Sequence, residues 1–85
     1  MAERTSDEVA AIFTAAGDSV TVINGNRYSG ETDAEWKGRL QRNVDHLETI
    51  KAYKKEDGTT SIWTSESFTA VDAAVTSGKS KIAAL

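Results

Sequence analysis

One stretch of the chain carries a helical pattern of large apolar residues that constrains the fold more than any other feature. With successive residues placed about 100° apart, five apolar side chains fall within an arc of about 120°. These residues are Trp36, Leu40, Val44, Leu47 and Ile50. Thr32, followed three residues later by Glu35, forms the capping-box pattern of a helix N-terminus. The pattern predicts one long central amphipathic helix over residues 33–54, with its apolar stripe against the core.

Two further segments show helical spacing of apolar residues. Residues 6–16 have this spacing, and Gly17 is predicted to end the helix there. Residues 70–77 have it as well, with Thr69 as the predicted N-cap and Gly78 as the predicted end. The chain is therefore expected to form about three helices.

A run of β-branched residues between the first two predicted helices indicates a β-hairpin. Val20 to Ile23 are β-formers, and they are followed by Asn-Gly, a strong signal for a two-residue hairpin turn. We expect strands over 19–23 and 26–29, and therefore a hairpin over 19–29. Residues 60–64 predict either a further short strand or an extended linker. The predicted fold class is α+β, a small single domain over residues 1–85.

The composition limits how stable such a domain can be on its own. The 85 residues include 12 alanines and only 21 larger apolar side chains. A chain of this length buries roughly 60% of the surface that its unfolded form exposes, so its stability is modest without a staple or a partner. There is no cysteine, which excludes disulfides and thiolate metal sites. Contacts with other subunits are the remaining way to enlarge the core.

Charge and motifs exclude several classes of function. The formal net charge of −3 argues against sequence-independent nucleic-acid binding, which needs a broad basic surface. No apolar run approaches the roughly 18 to 20 residues that span a bilayer, and no basic segment precedes an apolar run as in a secretory signal. No calcium-loop, phosphate-binding glycine or catalytic-triad pattern occurs. We therefore expect no enzymatic activity, no cofactor and no metal ion.

Polar residues follow one border of the apolar stripe on the long helix predicted over residues 33–54, the second of the predicted helices and hence α2, and we call them the α2 ridge. They are Arg39, Arg42, Asn43, His46 and Tyr53. Guanidinium, imidazole and phenol groups are typical of protein interfaces, so the ridge is a candidate interface. Alternatively, Asn43 and His46 bind backbone groups of the hairpin while the arginines pair with nearby carboxylates.

Trp63 is the other candidate interface residue. It lies among polar residues, which favours a contact role, because indole rings are frequent at interfaces. In the alternative interpretation it folds back over the start of the last helix, beside Phe68. The sequence alone leaves both possibilities open.

The long helix also contains the pattern E-W-x-x-R-x-x-R-N-x-x-H-L-E, from Glu35 to Glu48. This pattern resembles small proteins encoded in tailed-phage and prophage genomes. Residues 27–29, 68–74 and 78–79 are similar in a looser way, and together these stretches cover about half of the chain. The resemblance supplies no catalytic or ligand-binding residues to carry over.

The resemblance implies a context for the protein. Small phage products without cysteine are commonly virion components, such as minor tail, baseplate or head-associated proteins. The expected partners are then phage structural proteins, further copies of the chain, or both, and the expected location is the virion or the host cytoplasm. The alternative is a small inhibitor or regulator that binds a host protein, with an acidic surface that mimics nucleic acid. The scattered positions of the acidic residues favour the virion component.

Overall fold

The computed structural model describes residues 6–54 and 60–85, and the regular elements in these ranges are all helices. They are α1 (Ser6–Asn24), α2 (Asp33–Ile50) and α3 (Ser65–Ala83). Each helix packs against the other two. Within the described ranges there is no strand, and the β-pairing there is one isolated antiparallel bridge between Lys54 and Ser61. The predicted α+β class is therefore wrong, and the fold is an all-α three-helix domain.

The predicted hairpin over 19–29 is wrong because α1 continues through Gly17 and through the β-branched run to Asn24. Ala16, Ser19 and Ile23 lie three and four residues apart and all three are buried, with Ile23 fully so. A β preference of individual residues is worth less than about 1 kcal/mol, whereas burying an isoleucine side chain contributes roughly 1.5–3 kcal/mol. Burial against the other helices therefore decides the helical state.

Helix α2 begins where the capping box predicts. The Glu35 amide donates to Thr32 Oγ1 at 3.1 Å, and Glu35 Oε1 accepts from the Thr32 amide at 3.0 Å. All five residues of the predicted stripe are buried. The helix ends at Ile50, four residues earlier than predicted, and the Tyr53 amide donates to the Ile50 carbonyl at 3.1 Å. The sequence also has an Asp-Gly pair at positions 57 and 58 that predicts the exit from this helix, but these positions lie outside the described residues.

Helix α3 is longer than the predicted helix over 70–77 because its N-cap is Thr64. The Ser67 amide donates to Thr64 Oγ1 at 3.0 Å, and Ser67 Oγ accepts from the Thr64 amide at 2.9 Å. Thr69, the predicted cap, lies inside the helix, where its hydroxyl donates to the Ser65 carbonyl at 2.8 Å. A serine at the third position replaces the usual Glu or Gln of this motif.

Gly78 lies in the interior of α3 and does not end it. A Cβ atom at this position would collide with Cγ2 of Val44 on α2 and would lie 3.3 Å from Cγ2 of Ile23 on α1. The three helices therefore come together at Gly78, and the missing side chain is what allows them to do so.

Of the two possibilities for residues 60–64, a short strand or an extended linker, the structure does not form the strand. The β-pairing of this segment is the isolated bridge at Ser61, while Ile62 and Trp63 are both buried. The indole Nε1 of Trp63 donates to the Ile50 carbonyl at 2.9 Å. The Ile50 carbonyl, at the C-terminus of α2, therefore accepts from both the Trp63 indole and the Tyr53 amide.

The C-terminus of α1 is completed by a side chain from α3. Lys81 Nζ donates to the Ile23 carbonyl at 2.5 Å and to the Gly25 carbonyl at 3.0 Å. A cation at this position also favours the negative end of the helix dipole. Helix α3 therefore anchors the end of α1 directly.

Candidate functional site

Arg39, the first residue of the α2 ridge, is engaged within the molecule. Its Nε and NH2 groups donate to Glu31 at 3.0 and 2.8 Å. Its guanidinium carbon lies 4.0 Å from the ring centre of Tyr28 and 4.3 Å from that of Trp36. The hydrogen bonds from Arg39 lower the pKa of Glu31 to about 2, although desolvation acts in the opposite direction. Arg39 thus fastens the loop between α1 and α2 onto α2.

Asn43 and His46 also have partners inside the molecule. Asn43 Nδ2 donates to the Arg39 carbonyl at 2.8 Å. His46 Nδ1 and the hydroxyl of Ser19 share a hydrogen bond of 2.8 Å. Ser19 is buried, so His46 supplies the partner that a buried hydroxyl requires. The partner of Asn43 is therefore within α2 and the partner of His46 is on α1. The alternative interpretation had expected both residues to bind backbone groups of the hairpin.

Three members of the α2 ridge come together in one groove between α1 and α2, which we call the α1–α2 groove. Arg42, His46 and Tyr53 line one side of it, and its volume is about 460 Å³. Arg42 is exposed and makes no hydrogen bond or ion pair among the described residues. The other lining residues are Ala11, Ile12, Ala15, Asp45, Thr49 and Ile50. This groove combines a small apolar wall with one unpaired cation.

Trp63 does not line the groove that contains the ridge residues. Only 9% of it is exposed, and its ring centre is 5.1 Å from that of Phe13 on α1. Trp63 therefore packs against Phe13, whereas the alternative interpretation of the sequence had placed it beside Phe68. Both rings line a second groove of about 390 Å³, which we call the α1–α3 groove. The remaining lining residues are Ala16, Gly17, Val20, Ser67, Ala70 and Val71.

The surface around the α1–α3 groove is almost free of charge, and we call it the α1–α3 face. Between residues 9 and 24 the sequence has one charged residue, Asp18, and between 67 and 77 it has one, Asp72. Asp18 lies about 140° around the helix from Phe13. Asp72 is on the α2 side of α3, bonded to Lys51 at 2.7 Å. Neither of these side chains lines the groove, and Glu66 on α3, one turn before the lining residue Ala70, is not among its lining residues either.

Phe13 is the residue of this face that sequence reasoning did not single out. Its helical spacing placed it in the apolar stripe of the first helix, but 39% of it is exposed. The available signal was the lack of charged residues one turn before and after it, at Ala10 and Gly17. A large aromatic residue in charge-depleted surroundings is typical of an interface core.

The described ranges contain no group of three or more residues suited to hold a metal ion. In the same part of the chain, no helix has the length and hydrophobicity that crossing a bilayer would require.

Comparison with known proteins gives no match, whether to a protein-family model, to a curated protein or to a solved structure. The structure does assign internal roles to most residues of the phage-like pattern in α2. Glu35 completes the capping box, Trp36 is buried, and Arg39, Asn43 and His46 are hydrogen-bonded as described above. Much of the pattern therefore contributes to the packing and hydrogen bonding of the three helices, whereas Arg42 stays exposed.

Proposed function

We propose that the chain is a non-enzymatic component of a tailed-phage particle, of the minor tail, baseplate or head-associated kind. It acts through protein–protein contacts made by the α1–α3 face. The observation that carries this proposal is the exposed ring of Phe13 beside a groove without charged residues.

Covering the exposed ring of Phe13 with a partner would contribute binding free energy. A phenylalanine side chain has roughly 200 Å² of surface. The 39% of Phe13 that is exposed therefore amounts to roughly 80 Å². At about 25 cal/mol/Å², covering this area contributes about 2 kcal/mol, the size of an interface hot spot. The neighbouring small residues allow a partner to approach the ring closely.

The distribution of carboxylates supports a contact protein over a mimic of nucleic acid. A mimic needs its carboxylates gathered on one face and free to meet a basic partner. In this structure Glu31, Asp33, Glu48 and Asp72 are all within ion pairs. Their charges are compensated inside the molecule.

Mass spectrometry of purified particles tests the proposal. Particles of the phage or prophage that encodes the chain are analysed for its peptides, and the copy number is measured against the major capsid protein. We expect recovery in a fixed ratio to the capsid protein. Absence from particles, with abundant protein in induced cells, would contradict the proposal and favour a host-protein regulator.

A matched pair of variants tests the face. Phe13 and Phe68 have nearly the same exposed fraction, 39% and 38%, but Phe68 lies on the α2 side of α3, near Lys51. We expect Phe13→Ser to reduce incorporation into particles about tenfold or more, equivalent to about 1.4 kcal/mol or more, and Phe68→Ser to leave it unchanged. Thermal melting of both purified variants checks that they remain folded. Equal incorporation of the two would exclude the α1–α3 face as the contact.

A further inference from the structure

We infer that the α1–α3 face binds a second copy of this chain, with α1 of one copy antiparallel to α1 of the other. The inference rests on the proposed function, because it names the partner of the same face. Three observations support it: the position of Phe13 relative to Gly17, the charge of the chain, and the area of the face.

Phe13 and Gly17 form a projection and a space one helical turn apart. Phe13 stands partly out of the surface, and a Cβ atom added at Gly17 would meet no other atom within 4 Å. In an antiparallel pair with its two-fold axis near residue 15, Phe13 of each copy faces Gly17 of the other. The two equivalent contacts therefore fill the space beside Gly17 in both copies, so the face is complementary to itself.

Packing within the monomer gives no reason for a glycine at position 17. A glycine in the middle of a helix is unfavourable relative to alanine, and here no neighbouring atom would obstruct a methyl group. Gly78 differs, because Val44 and Ile23 occupy the space beside it. Close approach of a helix from another copy would explain why position 17 is a glycine, in the same way that Val44 and Ile23 explain the glycine at position 78.

The charge of the chain restricts where two copies can meet. Each copy carries a formal charge of −3, so copies repel each other at most orientations. The α1–α3 groove adds little to that repulsion, because none of the residues that line it is charged. Salt screens the overall repulsion and leaves the apolar contact intact. A homotypic contact here should strengthen with salt, whereas a contact with a basic partner should weaken.

The area of the face indicates a weak dimer contact, which binds more strongly in effect when several copies are held in one particle. Two adjacent helices about 28 Å long and together about 20 Å wide present roughly 560 Å². A standard interface uses about 800 Å² from each partner. We therefore expect a dimer dissociation constant of order 100 μM, which a particle holding several copies raises in effect through multivalency.

Sedimentation equilibrium of the purified chain tests the inference, with protein from about 10 μM to about 1 mM at low and high salt. We expect a monomer–dimer equilibrium that shifts toward dimer as salt increases. Gly17→Leu fills the space that receives Phe13, so we expect it to weaken the dimer about tenfold or more. Phe13→Ser should do the same.

Gly38→Leu is the control, because Gly38 lies on α2 away from this face and an added Cβ there meets only the end of Arg42, at 3.6 Å. We expect Gly38→Leu to dimerise as the original chain does. A monomer at every concentration, or a dimer unaffected by Gly17→Leu, would overturn the inference. Recovery of the chain in particles is a separate measurement, so either result leaves the proposed function to be judged on its own test.

Discussion

Adding one methyl group at Gly78 probes the closest packing in the molecule. In an exposed helix, Gly→Ala stabilises by about 1 kcal/mol. At Gly78 the new Cβ would collide with Cγ2 of Val44, a rigid β-branched side chain that is fully buried, and would press on Ile23 at 3.3 Å. Overpacking of a core costs about 1–3 kcal/mol, and rigid neighbours place this site in the upper part of that range. The expected net loss is about 1–2 kcal/mol.

Thermal melting measures this loss directly. For a domain of this size, 1 kcal/mol corresponds to about 4–8 °C, so Gly78→Ala should melt roughly 5–15 °C lower. Gly17→Ala is the matched control, because an added Cβ there meets nothing within 4 Å, and it should melt about 4–8 °C higher at low protein concentration. A Gly78→Ala variant that melts at or above the original chain would refute the packing argument. Val44→Ala is itself destabilising because Val44 is fully buried, but it removes the colliding methyl group, so the double variant should lose less stability than the sum of the two single variants.

Two further predictions concern the polar contacts that hold the helices. The pKa of Glu31 is about 2 in the folded chain against 4.5 for an unperturbed carboxyl, so its pair with Arg39 stabilises the fold above about pH 4.5 and is lost as the pH falls toward 2. The urea midpoints of the original chain and of Glu31→Gln should therefore converge over this range, and a constant difference would contradict the assignment. Lys81→Met removes the donor to the Ile23 and Gly25 carbonyls and should cost about 1.5–3 kcal/mol in urea unfolding. Lys79→Met, at an exposed pair, should cost less than about 1 kcal/mol, and equal losses would show that Lys81 does not cap α1.

The sequence was sufficient to predict the start and the buried stripe of α2, but only the first part of α1, over residues 6–16. In α2, the capping box and the stripe from Trp36 to Ile50 agree, because local preference and burial favour the same state. In α1, the β-branched run before Asn24 favours a strand locally, and Gly17 resembles a helix end. The helical spacing of Ala16, Ser19 and Ile23 was present in the sequence, but Ser19 interrupts it as a polar residue. Its partner, His46, is 27 residues away and belongs to another helix.

The candidate site depended still more on contacts between distant residues. From the sequence, Arg39 is a candidate interface residue, but in the structure it is bonded to Glu31 and packed against Tyr28. Phe13 reads as a core residue until the packing of Trp63 shows which side of α1 stays open. The engagement of Arg39 and the exposure of Phe13 both depend on how loops and helices pack together. The pattern of residues along a single helix does not determine that packing.

The bonds from Lys81 to the end of α1 have a consequence for how the domain opens. The last carbonyls of α1 depend on a side chain 58 and 56 residues further along the chain, so the final turn of α1 cannot be complete unless the end of α3 is docked. Amide hydrogens in these two helix ends should therefore exchange with solvent at a common rate, as one cooperative unit. Fraying at the end of α3 would then also loosen the turn that follows α1, in the first third of the sequence.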